Sequence, residues 1–127
     1  MTIEATRPVV IVIDDDPTNI LLLTRIFARK PDIEIVTESD GQAGLDLIRD
    51  RTPALVLLDL NLAGLSGESI LSAMRASAET AEIPVVIISG DASDSTKRRL
   101  LAAGAQHYLE KPYTISELLD VVAKILG

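Results

Sequence analysis

Three aspartates, Asp14, Asp15 and Asp16, follow directly on the apolar run Val9 to Ile13, and a fourth, Asp59, closes a second apolar run that begins at Ala54. Carboxylates this close raise one another's pKa values, and a carboxylate at the end of an apolar strand is costly if buried without a partner. A hard cation resolves that conflict. Oxygen donors with no accompanying Cys or His suit Mg²⁺, with Mn²⁺ as a substitute, and Mg²⁺ shares its remaining positions with water and phosphate. Two further groups point to phosphate: Ser89 ends a third apolar run and Lys111 follows a shorter one. A hydroxyl and an ammonium can hydrogen-bond and neutralise phosphoryl oxygens, which is most of what phosphoryl transfer asks of a protein. One aspartate is then available as the nucleophile, forming an acyl phosphate.

Such groups cooperate only if the fold gathers them. Short apolar, β-branched runs alternate five times with segments of helical period: Val9 to Ile13, Ile33 to Thr37, Ala54 to Asp59, Pro84 to Ser89 and Gln106 to Glu110. That alternation predicts an α/β fold, a doubly wound parallel sheet with helices on both faces. The first, third and fourth runs are apolar almost throughout and read as central strands, whereas Ile33 to Thr37 alternates and reads as an edge. In an open parallel sheet, ligands bind beyond the carboxyl ends of the strands at the switch point. With strand order 2-1-3-4-5, Asp14, Asp15, Asp59, Ser89 and Lys111 converge on one edge.

The helices are punctuated. Asp16-Pro17 reads as an N-cap and first-turn proline, opening a helix with Ile20, Leu23, Ile26 and Phe27 on one face and Pro31 at its end. Thr114 to Glu117 has capping-box spacing, ahead of a stripe of Leu118, Val121, Val122 and Ile125. Gly104 reads as a left-handed C-cap.

The 127 residues fit a single domain, residues 9–126, preceded by a loose tail, residues 1–8. There is no cysteine, which excludes disulfides and thiolate chemistry, and no run approaches the length of a membrane span. With no signal-peptide pattern either, the expected location is cytoplasmic. A net charge of −7 disfavours nucleic acid and anionic membrane as partners.

The set Asp14-Asp15, Asp59, Ser89 and Lys111-Pro112 resembles the receiver domain of two-component response regulators, over nearly the whole chain from Pro8 to Leu126. The resemblance implies a (βα)5 flavodoxin-like fold, Mg²⁺ held by Asp14, Asp15, Asp59 and the backbone carbonyl of Asn61, and phosphorylation of Asp59. The donor would be a histidine kinase or a histidine phosphotransfer protein. Lys111, Ser89 and Gly90 would meet the phosphoryl group, Ser89 and Tyr108 would form a switch, and the helix 4, strand 5 and helix 5 surface would pass the signal to a downstream protein or a phosphorylation-dependent dimer. Asn61 and Asp91 occupy positions that tune phosphoryl lifetime, autodephosphorylation included. The resemblance also implies a cis bond at Lys111-Pro112. Ala63, Gly90 and Tyr113 depart from the commonest residues of the family, yet none removes a chemical group. The stretch from Ser89 to Leu119 resembles receivers of hybrid sensor kinases, so both a stand-alone regulator and a piece of a larger chain fit.

Plainer readings stand beside these. Asp16 belongs mainly to the helix cap, His107 reads as a solvated strand residue, and Arg98-Arg99 as a solvated helix face. Gly41-x-x-Gly44 and Gly64-x-x-Gly67 lack the third glycine and the strand-to-helix setting of a phosphate loop. Two rival functions remain. Asp14-x-Asp16-x-Thr18 mimics the nucleophile motif of haloacid-dehalogenase-like phosphatases, with Asp14 attacking, but a helix starting at Pro17 leaves no room for their flap and Asp59 has no role. A receiver-like module used only for protein contact would be expected to lack part of the acidic pocket or the lysine, and this chain has both.

Overall fold

The computed structural model describes residues 7–91 and 93–127. Five strands alternate with five helices: β1 (Val9–Ile13), α1 (Pro17–Phe27), β2 (Glu34–Glu38), α2 (Gly41–Arg51), β3 (Leu55–Asp59), α3 (Gly67–Ala76), β4 (Val85–Ser89), α4 (Asp94–Ala102), β5 (His107–Glu110) and α5 (Ile115–Leu126). The sheet is parallel throughout, in the order β2-β1-β3-β4-β5. The expected doubly wound, flavodoxin-like architecture is therefore present. Of the expected tail, residues 1–6 lie outside the described residues, while the Pro8 carbonyl accepts the Glu34 N–H at the start of β2.

Because strand side chains alternate between faces, each strand feeds two cores. Ile11, Ile13, Val56, Leu58, Val85 and Ile87 pack with Leu45 and Ile48 of α2, Ile70, Leu71 and Met74 of α3, and Leu100 of α4. On the other face Val10, Val12, Leu55, Leu57, Val86, Ile88 and Leu109 pack with Leu23, Ile26 and Phe27 of α1 and Leu118, Val121 and Val122 of α5. The central strands β1, β3 and β4 are buried on both faces, which is why they read as unbroken apolar runs.

Every helix opens on a side-chain N-cap at the carboxyl edge of the sheet: Asp16, Asp40, Ser66, Ser93 and Thr114. The caps satisfy N–H groups that helix geometry leaves orphaned, and they fix where each loop turns back. Thr114 and Glu117 form the full capping box. Gly104 has φ +110°, its N–H bonds the Leu101 carbonyl and the next N–H bonds Leu100, the paired bonds of a Schellman end.

Two expectations are corrected. β2 lies one residue later than Ile33 to Thr37, because the Ile33 N–H is taken by the Lys30 carbonyl in the preceding turn and ladder pairing begins at Glu34. α1 stops at Phe27 rather than running to Pro31: the Arg29 and Lys30 N–H groups bond back three residues, to Ile26 and Phe27, tightening the end into a turn. On its buried face Asn19 is the covered residue of the first turn and Ile20 is half-buried.

The loop after β3 is closed by α3. A Cβ at Gly67 would sit 2.3 Å from the Asp59 carbonyl oxygen and 2.9 Å from the Leu60 Cα, so the helix reaches the strand end only because that position has no side chain. Gly90 has open space around it instead. In urea unfolding, Gly67→Ala is therefore expected to cost about 1–3 kcal/mol, with Gly90→Ala within about 0.5 kcal/mol of the parent.

Candidate functional site

Register builds the site. Ile13 of β1 pairs with Leu58 of β3, so the next residues along each strand, Asp14 and Asp59, emerge side by side. Ser89 pairs with Glu110, which puts Lys111 one step beyond β5, and the Lys111 N–H bonds the Ser89 carbonyl at 2.8 Å. Asp14 and Asp59 continue the alternation that sends Val12 and Leu57 to the α1 and α5 face, and Lys111 continues that of Leu109. Ser89 follows Val85 and Ile87 to the opposite face.

Asp14 and Asp59 are nearly closed off, with 2% and 6% of their surface exposed, and Asp15 is open to solvent. The three offer carboxylate oxygens that all lie within 4.8 Å of one another. The Lys111 ammonium lies 3.5 Å from Asp14 Oδ2 and 3.7 Å from Asp59 Oδ2. Asp14 Oδ1 accepts the Asp16 N–H at 2.8 Å, and Asp14 Oδ2 accepts from the Asn19 side-chain amide. Asp59 Oδ1 accepts the Asn61 N–H at 3.3 Å. Asn61 itself lies in the exposed loop after β3.

One ammonium does not balance these carboxylates. Burial and the neighbouring Asp14 charge push the Asp59 carboxyl up from 3.8 to about 6, against the pull of Lys111 and the Asn61 N–H. The donor set fits a hard divalent cation: three carboxylates, no nitrogen or sulfur ligand, one face open to water.

The expected switch residues sit at the other side of the sheet edge and share one neighbour. Ser89, fully buried, accepts the Asp91 N–H on its Oγ at 3.1 Å, and the Tyr108 hydroxyl donates to the Asp91 carbonyl at 2.6 Å. The Asp91 carboxylate is engaged at the start of α4, accepting from the Ser93 N–H and the Thr96 hydroxyl, which hold its pKa below the usual range. Lys97 pairs with Glu110 and lies 5.9 Å from the centre of the Tyr108 ring. Gly90, next to Ser89, is exposed with nothing within 4 Å of where a Cβ would be. The Lys111-Pro112 peptide bond is cis. Asp16 caps α1, accepting the Thr18 N–H at 3.0 Å, and His107, Arg98 and Arg99 are exposed, Arg99 meeting Glu68 of α3 at 2.9 Å.

Two groups at the site escaped the sequence reading. Asn19 is buried at 8% exposure and joins Asp14 to the Tyr113 hydroxyl, 2.7 Å from Asn19 Oδ1. Its spacing to Leu23 and Ile26 places it in phase with the buried stripe, and a polar residue in that phase was the available signal. Gly67 was discounted as half of a failed phosphate loop, yet its bare backbone shapes the loop behind Asp59.

The chain is similar to known proteins over almost all of its length. The family model described as the response regulator receiver domain matches residues 10–123. The transcriptional regulatory protein PrrA of Mycobacterium tuberculosis is 34% identical over 95% of the chain, which spans 51% of that relative, about half its length. The receiver domain of the Francisella response regulator 1452 superposes with a TM-score of 0.85 at 30% identity, covering 93% of this chain and 95% of that one. The receiver domain of the sensor histidine kinase PA1611 of Pseudomonas aeruginosa, solved with magnesium in its active-site cleft, shares the fold at TM-score 0.85 and 21% identity, over 96% of this chain and 99% of that one. With a strand register that sets an acidic cluster against a lysine, and a family match spanning both ends of that site, the chain belongs to the response regulator receiver domains, the phosphoacceptor modules of two-component signalling.

Proposed function

We propose that Asp59 accepts a phosphoryl group from a phosphohistidine on a histidine kinase or histidine phosphotransfer protein. The observation that carries this reading is the Lys111 ammonium set against two buried, adjacent carboxylates with a third beside them. Asp14, Asp15, Asp59 and the Asn61 carbonyl would hold Mg²⁺, which supplies positive charge to the phosphoryl oxygens when bound.

In the transfer, an Asp59 carboxylate oxygen attacks phosphorus, the phosphorus–nitrogen bond of the donor breaks, and its electron pair stays on the imidazole. An acyl phosphate results. Lys111 then moves its charge from the carboxylates to a phosphoryl oxygen, and the open space at Gly90 leaves the approach clear. Ser89 turns its hydroxyl from the Asp91 N–H toward the new group. Since the Asp91 carbonyl accepts from Tyr108, that turn loosens the one residue that both side chains hold and biases the α4, β5 and α5 surface. Leu101 of α4 and Ile115 of α5 are large apolar side chains already exposed there, suited to a downstream protein or a second copy. Asn61, in the loop beside the acceptor, and Asp91, through the loop it holds, are the candidates for setting phosphoryl lifetime. The phosphatase alternative with Asp14 as nucleophile loses support, because both Asp14 oxygens are engaged by Asp16 and Asn19 and α1 begins at Pro17.

Incubated with Mg²⁺ and a small acyl-phosphate donor, the protein is expected to gain one phosphoryl mass by intact mass spectrometry; Asp59→Asn should not, and Lys111→Ala should be slowed by about 10²-fold or more. Phosphate retained by Asp59→Asn but abolished by Asp14→Asn would transfer the nucleophile to Asp14.

A second expectation concerns pH. With its folded-state pKa raised from 3.8 to about 6, Asp59 keeps its proton in the native state where the unfolded chain has lost it. In chelator, this group's contribution to stability should therefore fall as pH rises from about 4 to about 6. Denaturant titrations across that window should show the loss in the parent and a flatter profile in Asp59→Asn, which is expected to be more stable than the parent at neutral pH by roughly 1–3 kcal/mol.

A further inference from the structure

Asp14 is held by a polar chain that crosses from α1 to the loop before α5. Asn19 Nδ2 donates to Asp14 Oδ2, and the Tyr113 hydroxyl lies 2.7 Å from Asn19 Oδ1, joining residues 94 positions apart in sequence. Asn19 is buried, and Tyr113 is half-buried against the α1 and α5 core.

The direction of this chain follows from donor and acceptor inventories. An ionised carboxylate only accepts, so the Asn19 amide must present its nitrogen to Asp14. That leaves the amide oxygen facing Tyr113, whose hydroxyl must then be the donor. The carboxylate thus selects one of the two amide orientations, since the reversed one would set an amide oxygen against the Asp14 charge, and the tyrosine hydroxyl anchors the amide in that orientation by donating to its oxygen. Asp16 N–H fixes the other carboxylate oxygen, so Asp14 is oriented from two sides. Phenylalanine at 113 could fill the same apolar contact and would leave the buried amide oxygen of Asn19 without its donor. The apolar packing of Tyr113 therefore does not account for its hydroxyl.

From this we infer that Asn19 and Tyr113 are positioning residues for the cation site, a two-residue relay that orients Asp14 toward Mg²⁺. The inference rests on the Mg²⁺ reading given under Proposed function. Partners that orient a metal ligand without touching the metal typically alter affinity by 10- to 100-fold.

The test is calorimetric titration of MgCl₂ into the metal-free protein, with melting temperature in chelator recorded alongside. Asn19→Leu is expected to weaken Mg²⁺ binding by about 10-fold and Tyr113→Phe by about 5-fold, with Asn19→Gln, which restores a donor, recovering part of the loss. In an Asn19→Leu background, Tyr113→Phe should add no further loss of affinity. Wild-type Mg²⁺ affinity in both single variants, with only the melting temperature lowered, would overturn the inference by making the chain purely structural. Independent, additive losses would overturn the relay. A parent protein that binds no Mg²⁺ at all would contradict the metal reading itself, and the relay with it, a result distinguishable because it appears before any substitution is made.

Discussion

Two carboxylates, Asp14 and Asp59, leave adjacent parallel strands at the same level and are almost fully removed from water. Nothing in a β-sheet favours this. The strands pair through backbone groups, and the pairing that satisfies Val10 with Leu55 and Ile13 with Leu58 delivers both acids to one place as a by-product. Burial first, and the Asp14 charge after it, raise the Asp59 carboxyl to about 6 although Lys111 stands beside it. A single ammonium shared between two acids and a third acid at the rim is an arrangement short of positive charge. A divalent cation is what this donor set fits, and one bound there would supply that charge.

The surrounding structure keeps the charges from escaping the conflict. Asp14 cannot swing away, because Asp16 and Asn19 hold its two oxygens. The loop behind Asp59 cannot open, because α3 is docked against the Asp59 carbonyl through Gly67. Two apolar layers fix the strand ends from both faces. Strand parity then separates two groups of side chains. Asp14, Asp59 and Lys111 project toward the α1 and α5 side, while Ser89 and Tyr108 belong to the α4 side and meet through Asp91. The acidic cluster and the proposed switch pair thereby occupy opposite faces of one sheet edge without competing for the same space.

Much of this was legible in the sequence, for a physical reason. Strands buried on both faces must be apolar throughout, so polar residues at their ends stand out, and Asp14, Asp59 and Ser89 were identifiable on that ground. Helix caps were equally readable, as Asp16 and Thr114 demonstrate, because they answer a local need of the backbone. Harder to see were features decided by contacts distant along the chain. The one-residue shift of β2 depends on where the Lys30 carbonyl turns. Gly67 matters because of a close approach to β3, which composition does not reveal. Asn19 finds its partner 94 residues away, and only its helical phase hinted at burial. Among the described residues no helix is long and apolar enough to cross a membrane, in line with the absence of long apolar runs.

The acidic cluster, short of positive charge on its own, should be stabilised when a divalent cation joins it. The most direct measurement is the melting temperature at neutral pH as MgCl₂ is added, against NaCl of matched ionic strength, for the parent and for Asp14→Asn. A saturable rise on the order of 5 °C is expected for the parent with MgCl₂ alone, largely lost in Asp14→Asn. Equal melting temperatures in MgCl₂ and matched NaCl would contradict it.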